Sequence, residues 1–276
     1  MIKDENLHSS IDYSEGQREA AHRVLIELCS LFAQYQDDIR IIGGWVPELL
    51  FPNQGHVGSV DVDMLINHLT LKDEGYQTMA RILLSNGYRE HPNKYFSFVK
   101  QVMINDIPFD VDVDILAGMY GGTRKQKLGQ HVQGLKALKA TGGDFAFTFD
   151  PQQVKLEAKR TDGAIDTAHV NVVALVPYFV MKTAAMGRGK AKDAYDIYFL
   201  IKHYPGGAEQ LAHEFSGYAK LPVVCEMREK LSGKFASVDH AGPVDVANFM
   251  DLSDDQEIEM IRRDAFEQVR ALLSSI

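Results

Sequence analysis

Two cysteines in 276 residues leave no disulfide framework to build on. Cys29 and Cys225 stand far apart in apolar, helix-like surroundings, so they read as buried thiols of a reducing compartment rather than a bridge or metal pair. No apolar run approaches the roughly 18 residues of a membrane span. The opening Met1-Ile2-Lys3-Asp4-Glu5-Asn6 is polar and lacks the apolar core of a secretion signal, so the expected location is the cytoplasm. Internal repeats, heptads and low-complexity tracts are missing too. There is no basic excess: 29 Lys and Arg against 38 Asp and Glu give a formal charge of −9, which argues against a general nucleic-acid binder. The one tryptophan, Trp45, reads as core or a packing lid rather than a base-stacking platform.

What is present is an ordinary globular composition, 45% hydrophobic and 24% charged, with enough length for one large domain or two modest ones. Against that background two stretches stand out. Gly58-Ser59-Val60-Asp61-Val62-Asp63-Met64-Leu65-Ile66 and Phe109-Asp110-Val111-Asp112-Val113-Asp114-Ile115-Leu116 alternate carboxylates with apolar residues at the period of a strand. Positions i and i+2 of a strand share a face about 6.6 Å apart. Asp61 and Asp63 therefore point together, as do Asp110, Asp112 and Asp114. Either stretch alone reads as the solvent face of an edge strand. Both together concentrate like charges on poor strand formers, and divalent cations would relieve that repulsion. Asp-x-Asp with a third Asp on a neighbouring strand suits two Mg²⁺ ions.

Along the chain, residues 1–13 read as a frayed leader. A helix begins at Ser14, where Gln17 completes a pattern like a capping box, and runs to about 36–38. A short buried strand over 39–42 meets Gly43-Gly44, which turns it into a helix through Leu50. Strand, Gly-Gly and helix start together make a natural phosphate cradle. A strand over 59–66, a helix over 70–85 and strands over 95–100, 102–105 and 108–116 follow, with Asn105-Asp106 as the last turn. The return is expected to run antiparallel and to set the second carboxylates beside the first. Residues 118–143 read as a long loop with one short helix near 132–140. Strands are expected over 144–149, 153–158 and 168–173, turning at Asp162-Gly163. From Val176 helices fit 176–187, 191–203, 207–219, 222–232 and 255–275. The expected organisation is a mixed α/β domain over 1–174 and a helical domain over 175–276.

Basic residues cluster in two places: Arg124, Lys125, Lys127, Lys136, Lys139, Lys155, Lys159 and Arg160, and then Lys182, Arg188, Lys190 and Lys192. Such clusters are usually solvated faces, but flanking an acidic site they could hold a polyphosphate or an RNA backbone. In the second, Gly187 and Gly189 leave open one long helix or a bend, while Asp193 and Asp196, at i and i+3, share a helix face. In the plainer reading the segment is a helix laced with surface ion pairs. As a site, lysine would meet triphosphate oxygens and the aspartates would orient it or take a proton.

Gly43-Gly44, Asp61-x-Asp63, a third strand Asp, Lys182 and Arg188-x-Lys190-x-Lys192-Asp193-x-x-Asp196, in that order over residues 38–203, resemble the AbiEii family. Its members are nucleotidyltransferase-fold proteins, many of them toxins of type IV toxin–antitoxin systems, and the MenT toxins share the fold. The resemblance implies a nucleotidyltransferase-fold mixed sheet with flanking helices, an α/β (α+β) class, followed by the helical half. It implies Asp61 and Asp63 on Mg²⁺, and a third carboxylate matched best by Asp114 with Asp112 as its rival. It also implies Gly43 and Gly44 at the nucleotide phosphates, Lys182 on the triphosphate and Asp193 as the family's downstream Asp. Arg188 and Lys190 would join the nucleotide site. Many nucleotidyltransferases carry Gly-Ser about ten residues before the Asp pair. Here Gly58-Ser59 lies directly against Asp61, so Ser59 rivals Gly43-Gly44 for the phosphate.

The expected activity is Mg²⁺-dependent transfer of a nucleoside monophosphate from an NTP, with pyrophosphate leaving. RNA, in particular the tRNA 3′ end, is the expected acceptor. The setting implied is a toxin or phage-defence operon with an AbiEi-like antitoxin. The alternatives are a small-molecule or protein hydroxyl as acceptor, or a non-catalytic nucleotide binder.

Overall fold

The structure, a computed structural model, describes residues 7–71, 73–118, 129–132 and 135–276, with backbone alone at 73–77, 129–132 and 135–136. The described chain forms two compact units. One holds Ser14–Leu50 and Gly58–Ala174; the other holds Leu175–Ile276 together with Phe51–Val57 and the residues leading to Tyr13.

The first unit opens with α1 (Glu15–Leu31), β1 (Ile39–Ile42) and α2 (Val46–Leu50). It continues with β2 (Val62–Ile66), α3 (Asp73–Ser85), β3 (Arg89–Glu90), β4 (Ser97–Ile104) and β5 (Ile107–Gly118). It ends with β6 (Gly129–Val132), β7 (Leu135–Ala140), α4 (Gly143–Ala146), β8 (Gln152–Lys159) and β9 (Ile165–Val172). The Ser14 hydroxyl accepts the Gln17 N–H and caps α1. Ala20, Ala21, Val24, Leu25 and Leu28 of that helix are fully buried, at helical spacing. Each large apolar side chain removed from water in this way contributes about 1.5–3 kcal/mol. The helix stops at Leu31, and a 3₁₀ turn over Ala33–Asp38 completes the stretch expected to be helical.

The sheet runs β3-β4-β5-β2-β1-β9-β8, with β7 alongside the end of β5 and β6 outside β7. All four residues of β1 are buried, so its run of Ile-Arg-Ile-Ile is covered on both faces. Asn105 (φ 49°) and Asp106 (φ 63°) both adopt left-handed backbone, and they close β4 onto β5 through a two-residue turn with Ile104 opposite Ile107. This is the hairpin geometry that matches strand twist. Asp162-Gly163 turns β8 into β9 as expected, with Gly163 at φ 85°.

Three expectations are corrected here. β5 pairs with β2 in parallel, not antiparallel, because β3 and β4 intervene and β5 is the returning arm of its own hairpin. The segment near 132–140 is a strand pair, with β7 parallel to β5 at Leu116–Leu138 and Gly118–Ala140. The stretch over 144–149 starts as the short helix α4, entered through Gly142 in left-handed backbone at φ 82°.

The second unit is helical: α5 (Leu175–Ala185), α6 (Ala191–His203), α7 (Gly207–Phe215), α8 (Pro222–Lys234), α9 (Ala241–Met250) and α10 (Asp255–Ser275). Phe179, Phe215, Leu211, Leu231, Val246 and Val269 form its core at zero exposure. α9 was not expected from the sequence; Pro243 lies in its first turn, where a missing N–H is harmless. Tyr13, expected in a frayed leader, is buried in this unit, edge-on to Phe249 at 5.7 Å. No described helix is long and apolar enough to cross a membrane.

Candidate metal and nucleotide site

The first unit gathers the strand aspartates. Asp63 of β2 lies in register with Asp114 of β5, so the two side chains share one face of adjacent parallel strands. Asp61 stands just ahead of β2 rather than within it. Its carboxylate accepts the Ser59 hydroxyl at 2.6 Å, and its carbonyl accepts the indole N–H of Trp45 at 2.8 Å. Ser59 thus orients Asp61, and Trp45, 4% exposed, is a core residue that holds the same backbone.

Gly43 closes the other side. At φ 72° it adopts a backbone that L side chains rarely take, and an added Cβ would lie 1.9 Å from Asp63 Oδ2. The 3₁₀ turn Gly43–Trp45 follows β1 directly, and Ile42 pairs with Asp63. The expected strand, Gly-Gly and helix order is therefore present, with Gly43 packed against a carboxylate. Gly58 packs on the Trp45 ring, where a Cβ would come within 3.1 Å.

Along β5 the acidic face is graded. Asp110 takes the Arg89 guanidinium at 2.9 Å and the Gln101 amide at 3.2 Å. Asp112 takes the Lys94 ammonium at 2.7 Å, with His91 Nε2 at 3.9 Å. Asp114 keeps one buried oxygen, Oδ1, without a hydrogen-bond partner. Burial pushes the Asp114 carboxyl up to about 6; Lys94 pulls it down, and Asp61 and Asp112 add to the rise. Lys94 is itself held above its ordinary value: burial works against the charge, and Asp114, Asp112 and Asp61 outweigh it. One ammonium therefore stands within the field of three carboxylates. Sequence reasoning passed over Lys94 and His91, because no spacing rule links the connection over 91–96 to a strand eighteen residues on.

Asp61, Asp63 and Asp114 fit a hard divalent cation by donor type, by register and by the unpartnered Asp114 Oδ1. Among the described residues, no three His, Cys, Asp or Glu side chains are gathered closely enough to hold a metal ion.

In the second unit the expected Lys/Asp cluster is buried and closed. Lys182 of α5 donates to Asp193 Oδ1 at 2.7 Å and Asp196 Oδ2 at 2.8 Å, both on one face of α6. Lys192 donates to both Asp196 oxygens, at 2.8 and 3.1 Å. His56 Nε2 meets Asp196 Oδ1 at 2.9 Å; since the carboxylate accepts, that nitrogen carries the proton. The His56 ring stacks on Tyr195 at 5.4 Å and meets Phe199 edge-on at 4.8 Å. Burial, joined by the Lys192 charge, pulls His56 down to about 4 against the pull of Asp196, so it is neutral. Burial would push Asp196 up, but Lys182 and Lys192 hold it far below the usual carboxylate range. Burial also works against the Lys182 charge, yet Asp193 and Asp196 hold its ammonium well above the ordinary value.

The chain between the two helices bends. A 3₁₀ turn over Met186–Arg188 leads to Gly189 at φ 78°, and Lys190 precedes α6. Arg188 is 61% exposed and its guanidinium lies 3.9 Å from Asp193. Gly44 is buried within its turn. Of the basic stretch, Arg124, Lys125 and Lys127 and the side chain of Lys136 fall outside the described residues. Lys155 and Lys159 are exposed on β8, and Arg160 is taken up by Asp162 at 2.7 Å.

No family model matches the chain, and no curated protein matches it. Among solved structures, a STING-associated CdnE c-di-GMP synthase from Capnocytophaga granulosa aligns over 93% of this chain and 81% of its own, at 12% identity and a TM-score of 0.27. A likeness that slight has no bearing on fold or activity.

Proposed function

We propose that the protein is a Mg²⁺-dependent nucleotidyltransferase whose metal site lies in the sheet unit. The observation that carries this reading is the pairing of Asp63 with Asp114 in register on parallel strands, with Asp61 fixed two residues before Asp63. Asp61, Asp63 and Asp114 would hold the metal, which when bound neutralises a triphosphate and makes a hydroxyl easier to ionise. Asp112, already the partner of Lys94, is the weaker choice for third ligand.

The acceptor oxygen would form a bond to the α-phosphorus as the bond to the bridging oxygen breaks. Pyrophosphate leaves with that electron pair, and the hydroxyl proton passes to water. Ser59 and Trp45 keep Asp61 in place, and Gly43 leaves the room that Asp63 needs.

RNA as acceptor, with the tRNA 3′ end foremost, and a toxin role beside an AbiEi-like antitoxin rest on the AbiEii-like order of motifs. Exposed Lys155 and Lys159 are compatible with a phosphate backbone. In the second unit, Lys182 is engaged by two aspartates, so Arg188 is the better candidate for a cation that meets phosphate.

The test is labelling. Purified protein, Mg²⁺ and each α-labelled NTP are incubated with total tRNA beside an Asp63→Asn control. Label on RNA that the control lacks is the expected result. Label on a small molecule or protein instead, insensitive to salt, would move the acceptor to the alternative class. Equal labelling by the control would remove the acidic site from the account.

A further inference from the structure

Lys94 has no part in the activity just described, yet its ammonium lies within the field of Asp61, Asp112 and Asp114 and bonds Asp112 Oδ2 at 2.7 Å. Its position is built. It sits in the six-residue connection between β3 and β4, where His91 Nδ1 accepts the backbone N–H of Asn93 at 3.0 Å and of Lys94 at 2.9 Å. The His91 N–H bonds the Ser97 carbonyl at 2.9 Å, and the Ser97 N–H bonds the Lys94 carbonyl at 3.2 Å. This ring of bonds presents Lys94 toward the acidic face of β5.

Its hold is also breakable. The Lys94 side chain is 31% exposed and Asp112 26%, whereas Asp196 in the other unit is fully buried between its lysines. An ion pair with access to water is worth at most about 1 kcal/mol. The ammonium can leave Asp112 and be rehydrated at little expense.

We infer that Lys94 is a tethered counter-ion that stands in for the divalent cation and yields to it, a positioning residue that sets the metal concentration at which the site loads. The inference rests on the metal reading above. Without metal, Lys94 offsets the repulsion among Asp61, Asp112 and Asp114. A divalent ion entering at Asp61, Asp63 and Asp114 competes with it electrostatically, and displacement frees the ammonium into water. An ion pair that merely ties the connection to β5 would not couple to the metal.

Mn²⁺ binding is measured by calorimetry on the full chain, wild type beside Lys94→Met, Lys94→Gln and Lys94→Arg. The expected result is roughly fivefold tighter Mn²⁺ binding with Met or Gln and a wild-type Kd with Arg. Melting temperature in EDTA should fall for Met and Gln. In the wild type, acetylation of Lys94 followed by mass spectrometry should speed up severalfold when Mn²⁺ is added; this needs no variant to fold. Wild-type binding with Met and Gln equal or weaker, or an acetylation rate indifferent to bound Mn²⁺, would overturn the inference and leave the metal site standing. No Mn²⁺ binding by any of the proteins would overturn the metal reading itself, and this inference with it.

Discussion

In the sheet unit, Asp61, Asp112 and Asp114 lie around one half-exposed lysine, and Asp114 keeps a bare oxygen. In the helical unit, Asp193 and Asp196 are matched by Lys182 and Lys192, and a neutral histidine donates to Asp196. The same residue types thus make two different objects. Buried charges persist only when paired, and in the second cluster the fully buried Asp196 is held by both lysines and His56, although Asp193 keeps its own buried oxygen, Oδ2, without a hydrogen-bond partner. The first is half-open, with Lys94 and Asp112 both reached by water. The difference lies in access, not in the presence of aspartate and lysine.

The strongest way to break the comparison is Asp196→Ala. It takes a carboxylate away from two buried ammoniums, of which Lys182 keeps Asp193, and should cost about 3–5 kcal/mol in urea unfolding, whereas Asp112→Ala should cost under about 1 kcal/mol. Equal losses would mean that the clusters are alike.

Acid should divide the units next. His56 sits near 4 in the fold and near 6.5 when unfolded, so between those values the unfolded chain takes the proton first. The helical unit therefore loses up to about 3 kcal/mol as pH falls from 6.5 to 4. Asp114 has the opposite sign: at about 6 in the fold against 3.8 unfolded, it takes its proton first in the fold and stabilises the sheet unit as pH falls through 6. Hydrogen exchange corrected for intrinsic rate should show α6 opening and β5 tightening from pH 7 to 5. His56→Gln should flatten the first trend alone.

Gly43→Ala should follow at about 2 kcal/mol, from the strained φ and the contact with Asp63, together with loss of Mn²⁺ binding. A calorimetric titration beside a melting curve checks both effects. The smallest effect is a gain: Asp114→Asn should raise metal-free stability at pH 7 by about 1 kcal/mol while ending nucleotidyl transfer, because it removes a charge that burial disfavours.

Much of this was legible because strand period is a hard rule. Alternating Asp110 to Asp114 announced a shared face without any knowledge of pairing, and Asn105-Asp106 announced its own turn, whereas Asp61, expected in the same strand as Asp63, lies in the bend ahead of β2. Parallel or antiparallel was not legible, since it depends on how many strands intervene. Leu135-Lys136-Ala137-Leu138-Lys139-Ala140 is built from helix formers, yet it is β7, because β5 offers it an edge at Leu116, Ala117 and Gly118. His56 and Asp196 meet across 140 positions, and no local pattern signals such a pair. The same distance in sequence hid the part that His56 plays in the Lys182 cluster.

The two-residue turn at Asn105-Asp106 reaches further than its size suggests. It sets the phase of β5: with Ile104 opposite Ile107, the even-numbered aspartates all fall on the face of Asp63. Asp114 lies roughly 24 Å along the strand from that turn. One residue inserted there would rotate the whole acidic row to the opposite side of the sheet and bring Val111 and Val113 forward in its place. The chemistry of the acidic face is thus clocked by a corner that touches none of it.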